Sequence, residues 1–219
     1  MHDYLSPERG RVALVTIEAQ RDFVLPGSPA RIGGTMAALP AMQRLTAAFR
    51  DKGLPIVHAV RLYRCNGSNV ELCHRAAIEE GLRVVMPGSR GAELVDALKP
   101  DSAARLDPEL LLADHLQCLG EKEWIMYKPR WGAFYRTALE GHLRDLGVTT
   151  LMVCGCNFPH GPRATVYEAS SRDFRVVLAT DAVSGASETG LAELGQIGVY
   201  LMTSEQCRSW LARDGRAAA

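Results

Sequence analysis

Six short runs rich in β-branched and large apolar residues recur along the chain, separated by segments patterned for helix. This alternation restricts the fold more than any other feature of the sequence. The runs lie at residues 11–18 (RVALVTIE), 54–60, 123–127, 149–154, 174–179 and 197–202. Their near-continuous apolarity suits parallel strands covered on both faces. Between them, residues 35–52 carry Met36, Leu39, Met42, Leu45 and Phe49 at spacings of three and four, with Gly53 just beyond as a helix stop. Residues 135–146 and 162–172 are patterned in the same way. Repeated β-α-β order predicts a three-layer, Rossmann-like α/β sandwich, with a six-stranded, mainly parallel sheet and helices on both faces. Residues 61–122 are irregular and are expected to cross over one end of the sheet and shape a pocket lid. No repeat or linker interrupts the pattern, so residues 1–219 are expected to form a single domain.

Composition removes several classes of function. The 25 Lys and Arg balance 25 Asp and Glu, and nucleic-acid binding normally runs on a basic surplus. No apolar stretch approaches the roughly 20 residues of a membrane span, and the opening MHDYLSPERG is too polar for a secretory leader. A cytoplasmic location is the expectation. Six Cys are irregularly spaced, and Cys65, Cys73 and His74 lack zinc spacing. Neither a metal nor another cofactor is expected, since no phosphate-binding glycine loop follows a strand.

In an open α/β sheet, ligands bind beyond the carboxyl ends of the strands, where strand order reverses. That rule selects Asp22 after the first run, Arg61 and Arg64 after the second, and Lys128 and Arg130 after the third. After the fourth it selects the turn GCNFPHGPR, which leads into a helix. A carboxylate, an ammonium and a set of backbone N–H groups then surround one crevice. The arginines, Arg163 included, suit bidentate recognition of a carboxylate.

These stretches carry a resemblance. ALVTIEAQRDF resembles the D-x-Q-x-D-F opening of the isochorismatase-like hydrolases, or cysteine hydrolase superfamily, with Glu18 where the first Asp is usual. YKPRWGAF resembles their second signature. LRDLGVTTLMVCGCNFPHGPRATVYEASSRDFRVVLATDAVSG resembles their third. The resemblance implies an Asp–Lys–Cys triad in which Asp22 takes the Asp place and Lys128 the Lys place. The Cys place falls on Gly161. It also implies a non-proline cis peptide at Cys156–Asn157, oxyanion donors at the N–H groups of Asn157 and Gly161, and a homo-oligomer. Around the same crevice, Arg61, Arg130, Phe158 and His160 are the expected substrate contacts.

Without the thiol, the resemblance points first to water-mediated hydrolysis of a small molecule, as in isochorismatases. Those enzymes split a vinyl ether into a dihydro-diol acid and pyruvate. Protonation starts that reaction, so the carboxyl of Asp22 is expected to serve as the acid, its pKa raised by a site shielded from water. Two other readings are an amidohydrolase scaffold whose Cys is replaced by Gly161, and a degenerate hydrolase that binds a ligand or partner.

Overall fold

The structure, a computed structural model, describes residues 3–213. Its sheet has seven strands in the order β3-β4-β2-β1-β5-β6-β7. They are β1 (Val12–Ile17), β2 (Ile56–Val60), β3 (Gln117–Gly120), β4 (Glu123–Tyr127), β5 (Thr150–Gly155), β6 (Arg175–Val183) and β7 (Tyr200–Met202). Every neighbouring pair is parallel except β3 with β4. The six expected strands become seven because QCLG at 117–120 folds back on β4 as a partly exposed edge hairpin. Half-exposed and only four residues long, β3 has no apolar run to announce it.

Eight α-helices accompany the strands among the described residues: α1 (Arg21–Val24), α2 (Thr35–Asp51), α3 (Leu72–Glu79), α4 (Pro108–Leu112), α5 (Leu139–Asp145), α6 (Gly161–Ser170), α7 (Glu188–Gln196) and α8 (Ser204–Ala212). α2 matches its apolar stripe, and Gly53 takes φ +60° beyond its end. α5 starts at Leu139 rather than at residue 135 because Arg136 sits at φ +50°, outside the right-handed helical region.

The period of two along β1 divides the core. Ala13, Val15 and Ile17 face a cluster with Leu143, Val166 and Phe174, while Val12 and Leu14 face one with Met42, Leu45 and Phe49. A third cluster, including Val70, Ile78, Val84 and Leu94, packs the excursion at 61–122 against the carboxyl ends of the strands. β1 lies between β2 and β5, where the chain stops adding strands on one side and starts on the other. The crevice rule therefore selects the ends of β1 and β5.

A buried polar chain ties three strands to α2. Thr16 and His58 are register partners on β1 and β2, with Thr16 Oγ1 2.7 Å from His58 Nδ1. His58 Nε2 lies 2.8 Å from Glu123 Oε1, and Arg50 donates to both Glu123 oxygens at 2.6 and 2.8 Å. Burial alone would raise the Glu123 carboxyl, but Arg50 and His58 outweigh it and hold it at about 2. A carboxylate depressed in the folded state stabilises above its unfolded pKa and loses that contribution as pH falls through the folded one. Thermal melts should therefore lose stability between about pH 4.5 and 2, and Glu123→Gln should flatten part of that fall.

Candidate active site

Four buried ionic side chains meet beyond the strand ends. Glu18 directly follows β1, and its N–H continues the ladder to Ala59 O at 2.9 Å. Lys128 follows β4 in the same way, donating to Val60 O at 2.9 Å. Arg61 follows β2, and Glu71 stands at the N-cap position of α3. Lys128 Nζ donates to Glu18 Oε1, to Arg130 O at 3.0 Å and to Trp131 O at 3.1 Å, which uses all three of its N–H bonds. Arg61 Nε donates to the same Glu18 oxygen at 2.8 Å, and its far end pairs with Glu71. Two cations and two carboxylates cancel, as buried charges must.

This pairing corrects the assignment of Asp22. Lys128 takes Glu18 as its carboxylate, while Asp22 lies in α1 and turns toward the excursion. Asp22 Oδ2 accepts from Val85 N at 2.7 Å, and a Cβ on Gly91 would lie 2.2 Å from both Asp22 carboxylate oxygens. Asp22 is a tether, and the first acidic position of the opening motif faces the lysine. Gln20, between them, clasps the same corner: its side chain donates to Arg61 O and Ala92 O and accepts from Arg61 N, each at 2.7 Å. Glu18 was legible as the motif's first position. Glu71 had no sequence signal.

Burial pushes the Glu18 carboxyl up, but Lys128 and Arg61 together outweigh it and hold it below the ordinary range. A carboxyl acid is not what this environment maintains. Burial lowers Lys128 to about 8 against the opposing pull of Glu18. Oε1 of Glu18 is engaged twice; Oε2 has no hydrogen-bond partner among the described residues.

Glu18 borders a cavity of about 230 Å³. Phe23 and Ile32 from the segment after β1, and Tyr63, His74, Ile78 and Val84 from the excursion, supply its mainly apolar wall. The excursion thus shapes the pocket, as its irregular sequence predicts. Trp131, Asn157 and His160 also line it. The Trp131 and His160 rings are 4.8 Å apart, and Trp131 also meets His74 edge-on at 5.5 Å. Burial, with Arg61 and His160 nearby, lowers the His74 pKa.

The turn after β5 has the expected Cys156–Asn157 cis peptide. The N–H groups of Asn157 and Gly161 have no hydrogen-bond partner among the described residues, while Cys156 N donates to Ile17 O and Phe158 N to Ser184 O. Cys156 does not replace a nucleophile. Its thiol is buried, donates to Glu18 O at 2.9 Å, and is raised well above its usual pKa by burial.

Three of the four expected substrate contacts do not border the cavity. Phe158 is core, packed so closely on Gly190 that a Cβ there would lie 2.6 Å from its ring. Arg130 donates to Asn69 O and Pro129 O. Arg61 stands behind the cavity, 5.4 Å from the Trp131 ring and 5.9 Å from that of Tyr63. His160 alone of the four borders the cavity. No group of three or more His, Cys, Asp or Glu among the described residues is arranged to hold a metal ion.

Comparison with known proteins identifies the family. The family model of the isochorismatase domain matches residues 12–206. The chain belongs to the isochorismatase family. An isochorismatase family protein from Desulfovibrio vulgaris has a similar structure, with 32% identity, a TM-score of 0.79, and coverage of 93% of this chain and 99% of that one. In sequence, this isochorismatase-family chain is 29% identical to a probable inactive nicotinamidase of Arabidopsis thaliana, over 94% of the chain and 99% of the relative. It is 24% identical to the N-carbamoylsarcosine amidase of an Arthrobacter species, over 79% of the chain and 59% of the relative.

Asp22→Ala strands the Val85 N–H and should cost about 1–3 kcal/mol. Lys128→Met leaves the network one positive charge short and should cost about 3–5 kcal/mol. Chemical denaturation of both variants checks this order.

Proposed function

We propose that the protein hydrolyses a small uncharged acyl compound, an amide or ester, by direct attack of water with Glu18 as general base. The observation that carries this reading is a carboxylate held ionised beside the cavity, one oxygen anchored by two cations and the other without a partner. Glu18 takes a proton from water as its oxygen adds to the acyl carbon. The N–H groups of Asn157 and Gly161 receive the developing oxyanion. Collapse expels the amine or alcohol, which leaves with the proton held by Glu18, and the carboxylate is restored. Lys128 and Arg61 hold Glu18 in place.

Charge selects among substrates. The ionised groups behind the cavity already cancel, and no cation in its lining is left over for a ligand. Burying a carboxylate there without a partner costs several kcal/mol. The vinyl-ether reaction begins with protonation and yields two acids, so its substrate brings carboxylates to a site without a spare cation or a protonated carboxyl. The balance of supporting features is with the neutral acyl substrate.

A second reading, ligand binding without turnover, is favoured by the absent thiol at Gly161 and by the similarity to a relative named as probably inactive. Hydrolysis of a panel of small neutral amides and esters, followed beside ligand binding by NMR, separates the two. Turnover should fall about 10²–10⁴-fold in Glu18→Gln while binding persists; binding with no turnover in the unaltered protein selects the second reading. The rate should plateau between an acid limb below pH 4.5, set by Glu18, and an alkaline limb near 8 as Lys128 loses its proton.

A further inference from the structure

Gly161 is buried at the first position of α6, and its backbone is not in the left-handed region that requires glycine. At such a position alanine is normally at least as good a helix residue. Space is what excludes a side chain. A Cβ built on Gly161 would lie 2.7 Å from Ile17 Cγ2, with Trp131 O at 3.5 Å and Cys156 O at 3.7 Å in ordinary contact. Ile17 cannot simply swing away. Its Cγ2 is attached directly to Cβ, its χ1 is restricted by branching, and the residue is fully buried at the end of β1. Its backbone is fixed as well, because Gly155 at φ +122° packs against it and Cys156 N donates to its carbonyl at 2.9 Å.

We infer that Ile17 keeps position 161 free of a side chain, and so of a nucleophile: its Cγ2 methyl fills the place of a side chain at 161, and the two positions act as a coupled pair. Restoring a nucleophile therefore takes two changes. Gly161→Cys alone meets the methyl, whereas the same change together with Ile17→Leu has room, since leucine carries its branch one carbon further out and keeps the volume. Ile17→Val is the control, because valine retains both γ-carbons. That the site works without an acyl-enzyme intermediate rests on the hydrolytic reading above; the packing relation stands without it.

The test is a double-mutant cycle on the full chain, read by thermal melting. Gly161→Ala in the unaltered and Ile17→Val backgrounds should lower Tm by about 3–10 °C. In the Ile17→Leu background, or in Ile17→Ala if leucine folds poorly, the same change should cost less than half as much. Gly161→Cys provides a second readout, alkylation by iodoacetamide mapped by peptide mass spectrometry. Labelling at position 161 should be several-fold faster in the Ile17→Leu background than in the Ile17→Val background. A Gly161→Ala variant that melts within about 1 °C of the unaltered protein would overturn the inference, as would equal penalties in the leucine and valine backgrounds. Neither readout depends on turnover, so failure of the hydrolytic reading is seen separately.

Discussion

A lysine ammonium removed from water needs a partner, and the carboxyl-end architecture is organised around that need. Lys128 is fully buried, and its three donors are taken by Glu18 and two backbone carbonyls of the segment that follows it. Glu18 in turn accepts from Arg61, and Arg61 engages Glu71, so one buried cation draws in three more ions from three separate parts of the chain. Removing any one member leaves an odd charge in a medium that tolerates it poorly. The cavity takes its electrostatic character from this cancellation: a single carboxylate at the wall, held ionised, and no surplus of either sign behind it.

The parallel layers were readable from sequence because strands buried on both faces must be apolar along their length. Val12 to Ile17 is such a strand, completely buried. The edge strand at Gln117–Gly120 is different: one side is open, the run is short, and nothing in its composition distinguishes it from a loop. α5 starts later than its periodicity predicts for a local reason, the left-handed conformation of Arg136. Periodicity does not register such a backbone preference.

The site shows the same division between regular and tertiary information. Lys128 and the turn through Gly161 fall at strand ends, so position alone marks them in the sequence. The acidic partner of Lys128 is Glu18, four residues before the expected Asp22, because both follow the same strand and only the direction of the side chain separates them. Glu18 leaves the strand at φ +52° and turns toward Lys128; Asp22 has entered a short helix and turns toward Val85. Glu71 joins a residue in the irregular excursion to one at a strand end, a pairing with no local pattern to betray it. The steric relation between Ile17 and Gly161 spans 144 positions of chain and is visible only once β1 and the start of α6 are placed side by side.

The Glu71–Arg61 pair has a consequence for how such a scaffold diversifies. Glu71 stands at the N-cap position of the helix whose next turns supply His74 and Ile78 to the cavity wall. The segment that forms this wall is thus wired into the charge cluster beside it. It is not an interchangeable cassette. A transplanted loop without an acid at this point would strand the Arg61 guanidinium, and that cation would either draw Glu18 away from Lys128 or recruit an anion from solution. On such a frame a new wall keeps the charges balanced only when the acid travels with it.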